Sequence, residues 1–301
     1  MSESRIDQRI IGLWDEYVHV HFDRRRFLKE AGKLLGSASA AAALVPALAS
    51  NYARAAVVAE DDPRIAIERV NFAGATGPLK AYLAIPKASA AMGGKQAGVL
   101  VIHQNRGLNP HIEDVARRLA TEGHEAIAVD FLSPLGGTPP EEEAAMRLFA
   151  QLDLAKVTAD AHSAVAFLRA RGESNGKIGT VGFCWGGGIV NRIAADPIAT
   201  RAANIDAGVV YYGAPPPLDD VPKIKAPLLL NYADPKLDTR LGGLLPGYEE
   251  ALKAAGANYK LYTYEGANHA FNDDTQKARY DEAVAKLAWS RTLAFFKDYL
   301  A

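Results

Sequence analysis

The stretch Gly182-Phe183-Cys184-Trp185-Gly186-Gly187 contains the only cysteine of the 301-residue chain. It follows the apolar run 178–181 and precedes a helix-like segment, residues 188–194. This order predicts a strand, a sharp turn and a helix, with a nucleophilic side chain at the turn. Glycine on both sides of Cys184 favours such a turn, because other side chains would collide with the strand and the helix. The alternative is a buried structural cysteine, since free cysteine is among the most buried residue types.

Composition and charge exclude several function classes. An apolar fraction of 49% and a charged fraction of 23% are typical of a globular chain with a sizeable core. The net charge is −1, and no basic block follows the first thirty residues, so nothing favours nucleic acid as a partner. A single cysteine excludes an internal disulfide and a cysteine-cluster metal site. The seven histidines show no metal-ligand spacing, and we expect neither a metal nor another cofactor.

The first 55 residues have a different character. Arg24-Arg25-Arg26-Phe27-Leu28-Lys29 is followed by the Ala-rich stretch 31–48, which lacks acidic residues, and then by Ala53-Arg54-Ala55. A basic, an apolar and a small-residue region in this order are typical of a bacterial twin-arginine export signal. We therefore expect residues 1–55 to be an export signal with an N-terminal extension, read by the twin-arginine export machinery. Cleavage after Ala55 would leave a periplasmic chain, 56–301, with no stable membrane span.

The competing interpretation of the N-terminus is a cytoplasmic Ala-rich helix behind an amphipathic one. Ile6, Ile10, Trp14 and Val18 recur at helical spacing and predict a short helix within residues 1–23.

From residue 62 onward, strand-like and helix-like segments alternate. Residues 65–72 and 79–85 predict an antiparallel hairpin around a Gly-rich turn. The later strand candidates, 98–103, 125–129, 177–183 and 227–232, are apolar throughout rather than alternating, as in a parallel sheet covered on both faces. Together with the turn at Cys184, this pattern predicts an α/β-hydrolase fold in one domain. Its sheet has about eight strands, mostly parallel, with helices on both faces.

In that fold the acid and the base follow the nucleophile in the chain, each on a loop after a strand. His269 is the only histidine downstream of Cys184 and follows the last predicted strand, 259–264. Asp234 and Asp238 both follow the predicted strand 227–232, and spacing alone does not separate them as the acid.

Several motifs carry a resemblance from about residue 65 to the C-terminus: IHQNRGLNPHIEDVARRLA, GFCWGG, LDTR, ALKAAG, YEGANHAF and AWSRTLAFF. They resemble the dienelactone hydrolase (carboxymethylenebutenolidase) family, whose specific mark is cysteine at the turn. The resemblance implies the triad Cys184, Asp238 and His269, which would hydrolyse small lactones or esters through an acyl-thioenzyme. The backbone N–H of Trp185, directly after the nucleophile, is expected in the oxyanion hole. The resemblance assigns the second donor to Asn105.

The chain departs from the family pattern at the substrate. Gln104 stands where the family usually has a glutamate thought to help ionise the thiol, and an amide cannot take up a proton. An acidic stretch after His269 replaces an arginine that binds the substrate carboxylate, which leaves Arg106 and Arg240 as nearby cations and Tyr212 as a further pocket candidate. Two alternatives therefore stay open: a carboxylesterase or thioesterase without dienelactone activity, and a hydrolase-fold binding protein whose chemistry has lapsed.

Overall fold

The computed structural model describes residues 6–19, 23–52, 56–87, 94–196 and 201–301. One eight-stranded sheet forms its centre. The strands are β1 (Ile65–Ala73), β2 (Pro78–Pro86), β3 (Gln96–Ile102), β4 (Glu125–Asp130), β5 (Ser174–Phe183), β6 (Ala207–Tyr211), β7 (Leu228–Tyr232) and β8 (Tyr259–Thr263).

The α-helices of the described ranges surround this sheet and extend beyond it at the N-terminus. They are α1 (Gln8–His19), α2 (Arg24–Leu35), α3 (Ala38–Leu48), α4 (Pro110–Thr121), α5 (Glu142–Phe149), α6 (Leu154–Ala170), α7 (Trp185–Ala195), α8 (Thr239–Gly242), α9 (Leu245–Ala254) and α10 (Glu282–Leu300).

The strand order is β1-β2-β4-β3-β5-β6-β7-β8. The pairs β1–β2 and β2–β4 are antiparallel, and the other neighbours are parallel. The parallel strands β3, β4, β6 and β7 are buried along their whole length. The carboxyl ends of β5, β6, β7 and β8 therefore meet at one edge, where loops can bring distant side chains together.

The two faces of the sheet are covered by different helices. Gly179 of β5 pairs with Ala207 of β6, so Gly208 points to the opposite face from Gly179. A Cβ on Gly179 would meet Phe296 of α10, whereas one on Gly208 would meet Val190 of α7. The structure thus confirms the predicted mixed sheet with helices on both faces.

Element bounds agree closely with the sequence prediction. The antiparallel hairpin predicted from residues 65–72 and 79–85 is present as β1 and β2. Helices α5 and α6 lie on either side of residue 153 in the chain. Asp153 caps the second of them, α6, by accepting hydrogen bonds from the backbone N–H groups of Ala155 and Lys156.

Helices α1, α2 and α3 form a small hydrophobic cluster of their own. Its buried members are Ile10, Trp14, Val18, Phe27, Ala31, Ala41 and Leu48. The cluster packs on the rest of the chain through Met146 and Ala278, and Arg24 forms a 2.9 Å ion pair with Glu143 of α5. The N-terminal helices are therefore docked against the sheet domain.

The docked helices include the twin-arginine stretch, whose Arg24 is the first residue of α2. None of the described helices is by itself long and apolar enough to cross a membrane, although α2 and α3, bent by 110°, reach that length and composition as a pair. The predicted cleavage motif Ala53-Arg54-Ala55 lies outside the described residues. Export and cleavage stay predictions.

Candidate active site

Cys184 lies at the tip of a sharp turn between β5 and α7. Its backbone has φ 55° and ψ −116°, a strained conformation for a residue with a side chain. Both neighbouring glycines are sterically required: a Cβ on Gly182 would lie 2.2 Å from the backbone oxygen of Gly186, and one on Gly186 would lie 2.3 Å from that of Ile102. The turn thus has the geometry of a nucleophile elbow.

The loops after β7 and β8 bring an acid and an imidazole together. His269 Nδ1 lies 2.7 Å from Asp238 Oδ2, and both side chains are 4% exposed. Asp234 instead accepts hydrogen bonds from the backbone N–H groups of Lys236 and Gly266. Of the two candidates that spacing left open, Asp238 is the one that contacts His269, while Asp234 shapes the turn.

His269 and Cys184 lie close together in the same pocket. One ring nitrogen of His269 and Cys184 Sγ are within 4.8 Å of each other. Nδ1 is engaged by Asp238, whereas Nε2 is buried without a hydrogen-bond partner. The Tyr212 ring packs on His269 with centroids 4.8 Å apart. This imidazole is oriented by a carboxylate on one side and has its second nitrogen available for proton transfer.

A second histidine, which the sequence analysis did not single out, touches the nucleophile. His19 Nε2, at the end of α1, lies 3.0 Å from Cys184 Sγ. Its Nδ1 lies 2.8 Å from the backbone oxygen of Asp15 and 3.2 Å from the Asp15 carboxylate. Asp15 is in turn paired with the guanidinium of Arg279 at 2.8 Å. The available signal was the Asp15/His19 spacing of four residues, which places both on one helix face.

These contacts shift the ionisation of the site. Burial disfavours the Cys184 thiolate, but the charges of His19 and His269 outweigh it, so that the pKa of the thiol lies well below its ordinary value. Burial also disfavours the His269 cation, yet Asp238, Asp15 and Cys184 raise the pKa of this imidazole to about 10. Asp15 and Cys184 likewise raise the pKa of His19 against burial. The shifts of Cys184 and His269 together favour a thiolate beside an imidazolium.

The two residues expected to supply the oxyanion donors, Trp185 and Asn105, line the same cavity as Cys184. Trp185 is the first residue of α7, where a helix leaves its N–H groups without intrahelical acceptors. Asn105 follows β3, and its side-chain amide donates to the backbone oxygen of Val18 in α1. Helix α1 thus contacts the predicted oxyanion loop as well as the nucleophile.

Cys184 opens into a cavity of about 210 Å³. Asn105, Trp185 and Tyr212 line it, and so do the guanidinium-bearing side chains of Arg192 and Arg240. Arg192 was not among the pocket residues predicted from sequence. The cavity therefore places two cations near the nucleophile.

Gln104 and Arg106, both predicted to line the pocket, are not among the residues that line this cavity. Gln104 donates from Nε2 to Asp273 at 3.0 Å and accepts from Arg106 at 3.3 Å. Arg106 also pairs with Glu142 at 3.2 Å. Asp273, which belongs to the acidic stretch after His269, is 3% exposed and lies within this network. Gln104 and Arg106 therefore bind their neighbours in this network rather than line the cavity.

His19, Cys184 and His269 are also donor types that zinc accepts, and their ligand atoms lie within 4.8 Å of one another. Two tetrahedral ligands with Zn–S of about 2.3 Å and Zn–N of about 2.0 Å would be roughly 3.6 Å apart. The His19–Cys184 distance of 3.0 Å is shorter and matches a direct hydrogen bond. The geometry therefore fits an imidazole–thiolate pair better than two ligands of one ion.

Comparison with known proteins places the chain in a family. Residues 79–300 match the model of the dienelactone hydrolase family, and residues 1–34 match a model described as YqhI-like. The relative named "Putative carboxymethylenebutenolidase" in Synechocystis sp. is 32% identical over 73% of this chain and 91% of its own length. Its namesake in Methylorubrum extorquens is 30% identical over 74% of this chain and 78% of its own length.

Solved structures agree with this assignment. The protein named "Putative Dienelactone Hydrolase" from Klebsiella pneumoniae superposes with a TM-score of 0.66 at 29% identity, covering 78% of this chain and 99% of that one. The dienelactone hydrolase from Anabaena variabilis has a TM-score of 0.59 at 21% identity, over 79% of this chain and all of that one. The eight-stranded sheet with its nucleophile elbow is thus a hydrolase fold, and the chain belongs to the dienelactone hydrolase family.

Proposed function

We propose that the protein is a cysteine-dependent hydrolase of small lactones or esters, of the carboxymethylenebutenolidase type, acting through an acyl-thioenzyme. The observation that carries the proposal is the 2.7 Å Asp238–His269 contact beside a cysteine held at a nucleophile elbow. A lapsed binding protein has no need of a thiol with a strongly lowered pKa beside a carboxylate-oriented imidazole. This arrangement favours the enzyme over the binding protein.

In acylation the Cys184 thiolate attacks the substrate carbonyl carbon, and the carbonyl electron pair moves to the oxygen. The backbone N–H groups of Trp185 and Asn105 stabilise that oxyanion. When the carbonyl re-forms, the carbon–oxygen single bond of the ester or lactone breaks. The departing oxygen takes the proton from Nε2 of His269, whose raised pKa keeps this nitrogen protonated beforehand.

Deacylation uses the same imidazole in the opposite direction. His269, now neutral, removes a proton from water as the water oxygen attacks the thioester carbon. Collapse of this second oxyanion breaks the carbon–sulfur bond and returns the thiolate. Asp238 stays ionised, orients the imidazole and stabilises its cation. The products are an acid and an alcohol, or one hydroxy acid from a lactone.

Trapping the acyl-thioenzyme tests the proposal. In rapid-quench hydrolysis of a p-nitrophenyl ester, we expect a burst of about one nitrophenol per active site, with the acyl mass on the peptide that contains Cys184. Cys184→Ala serves as the control and should show neither. If wild type and Cys184→Ala hydrolysed the ester at the same steady rate, with no acyl adduct on Cys184, the thiol mechanism would be ruled out. A dienelactone assayed in parallel distinguishes a lactonase from a simple carboxylesterase or thioesterase.

We further propose that the substrate carries a carboxylate near Arg192 and Arg240 in the cavity. Arg192→Gln should raise KM for an anionic dienelactone about five- to tenfold, or roughly 1 kcal/mol, the upper range of a partly exposed ion pair. The neutral methyl ester of the same lactone should be nearly unaffected, and Arg192→Lys should recover most of the loss. An equal rise in KM for the acid and for its methyl ester would show that Arg192 does not bind the substrate carboxylate.

We propose twin-arginine export to the bacterial periplasm on the sequence of residues 24–55, with the export machinery as the partner. The N-terminal residue and cell fraction of the expressed protein test this. Ala56 as the first residue of periplasmic protein is the expected result. Protein confined to the cytoplasm with its N-terminus intact would contradict it.

A further inference from the structure

The contact between α1 and Cys184 has no role in the mechanism proposed so far. We propose that Asp15 and His19 form a second carboxylate–imidazole pair of the active site, in which His19 is a catalytic residue that holds Cys184 as a thiolate. The inference rests on the proposed hydrolase function, because it assigns a further group to the same nucleophile. It applies to the chain that retains residues 1–55, since cleavage after Ala55 would remove both Asp15 and His19.

The geometry of the second pair parallels that of the first. A carboxylate faces Nδ1 of the imidazole, at 3.2 Å in Asp15–His19 and at 2.7 Å in Asp238–His269. The opposite nitrogen of His19 lies 3.0 Å from Sγ. The two imidazole rings meet edge to face, with centroids 4.7 Å apart. The thiol is thus shared by two oriented imidazoles, of which His19 makes the direct hydrogen bond.

Helix α1 is held in place by packing and not only by this contact. Its apolar face, with Ile10, Trp14 and Val18 each at most 5% exposed, belongs to the N-terminal cluster. The His19 side chain is 10% exposed. The cavity beside Cys184 remains open, and His19 forms part of its wall. Helix α1 therefore completes the pocket rather than filling it.

Residue 104 explains why a second imidazole is useful. Gln104 cannot accept a proton, and its side-chain nitrogen is directed at Asp273. His19 Nε2 can accept the proton of the Cys184 thiol: the S–H bond breaks, an N–H bond forms, and the thiolate and imidazolium remain paired. His19 keeps this proton during acylation, while His269 protonates the departing oxygen. Each imidazole then has one task.

The surrounding charges favour this ion pair. Charged and titratable groups from α1 and from the loops after β3, β6, β7 and β8 surround this pair, and Asp238 acts on it through His269; these groups are Asp15, Arg106, Tyr212, Asp238, His269 and Arg279. Burial alone would raise the pKa of the Cys184 thiol, and among the groups that lower it His19 has the largest influence. Because a lowered thiol pKa keeps the nucleophile ionised at lower pH, loss of His19 should move ionisation to higher pH.

Alkylation of Cys184 by iodoacetamide across pH 4–10 in the full chain tests this inference, because only the thiolate reacts and Cys184 is the only cysteine. The protein is first treated with a chelator to remove any bound metal. We expect His19→Gln to raise the inflection by at least one pH unit, which lowers the alkylation rate below the inflection about tenfold. The low-pH limb of kcat/KM should move with it.

Asp15→Asn, which leaves the imidazole in place, should shift the inflection in the same direction by a smaller amount. Glu16→Gln on the exposed face of α1 is the matched control and should change neither curve. If His19→Gln does not fold by circular dichroism, Asp15→Asn alone decides. An inflection unchanged in the folded variant overturns the role of His19. The acyl burst, measured on the same wild-type preparation, separates this result from a failure of the hydrolase proposal, in which no burst occurs.

Discussion

Asp238→Asn is expected to lower kcat/KM for ester hydrolysis by about 10²- to 10⁴-fold, the range found for the acid of a nucleophile–base–acid triad. The carboxylate that faces His269 Nδ1 at 2.7 Å fixes the ring and stabilises its cation. An amide that donates to Nδ1 would favour the wrong tautomer. It would also remove a charge that holds the pKa of His269 high, so the imidazole would be a poorer acid for the leaving group.

The substitution should leave the fold intact, because Asp238 also caps α8 by accepting from the Leu241 N–H and asparagine is an equally good N-cap. Asp234→Asn is the matched control: it keeps one acceptor for the turn and should reduce kcat/KM less than about fivefold, since Asp234 does not contact His269. Steady-state kinetics and melting temperatures measure both. A large loss for Asp234→Asn with a small one for Asp238→Asn would reverse the assignment.

Gln104→Glu, which restores the glutamate suggested by the family resemblance, is expected to destabilise the protein rather than activate it. The new carboxylate would lie about 3 Å from Asp273 in a buried site, and two such groups cannot both stay ionised. Asp273 has a pKa of about 2, because His111, Thr275 and Gln276 outweigh its burial. We expect a loss of about 3 kcal/mol or more at pH 7, a fall in Tm of roughly 6–12 °C.

A double-mutant cycle with Asp273→Asn identifies the cause. In the double variant, the amide introduced at position 273 can donate to the carboxylate introduced at position 104. The double variant should therefore be more stable than the sum of the single changes predicts, by at least about 1 kcal/mol. The stability deficit of Gln104→Glu relative to wild type should also shrink as pH falls from 7 to 5, since one carboxyl of the pair then takes up a proton. If Gln104→Glu were as stable as wild type and acylated faster, a carboxylate at residue 104 would instead be an activator of the thiol.

The sequence predicted the sheet domain well, because local signals and global fold agree there. Apolar strand runs and the glycines around Cys184 each have one structural solution in a parallel sheet. The geometry also distinguishes Asp238 from Asp234. Spacing could not do so, because both residues follow the same strand within reach of His269.

The contribution of α1 could not be predicted from local pattern. His19 and Cys184 are 165 positions apart, and no periodicity encodes a contact between elements so distant in the chain. The basic and Ala-rich composition of the N-terminus also indicated a segment outside the catalytic domain. Gln104 was misplaced for a related reason: its neighbour Asn105 lines the pocket, but its own side chain is hydrogen-bonded to Asp273 and Arg106.

The docking of α2 links the N-terminus to the ionisation of the nucleophile. Arg24 is ion-paired with Glu143, and Phe27 is fully buried in the hydrophobic cluster to which α1 also contributes. A protein that binds the paired arginines only when α2 is undocked would have to disrupt this packing. Because α1 shares the cluster with α2, the same disruption would weaken the contact between His19 and the thiol. Linkage makes the effect reciprocal: such a partner would bind more tightly once Cys184 is acylated and its pairing with His19 is weakened.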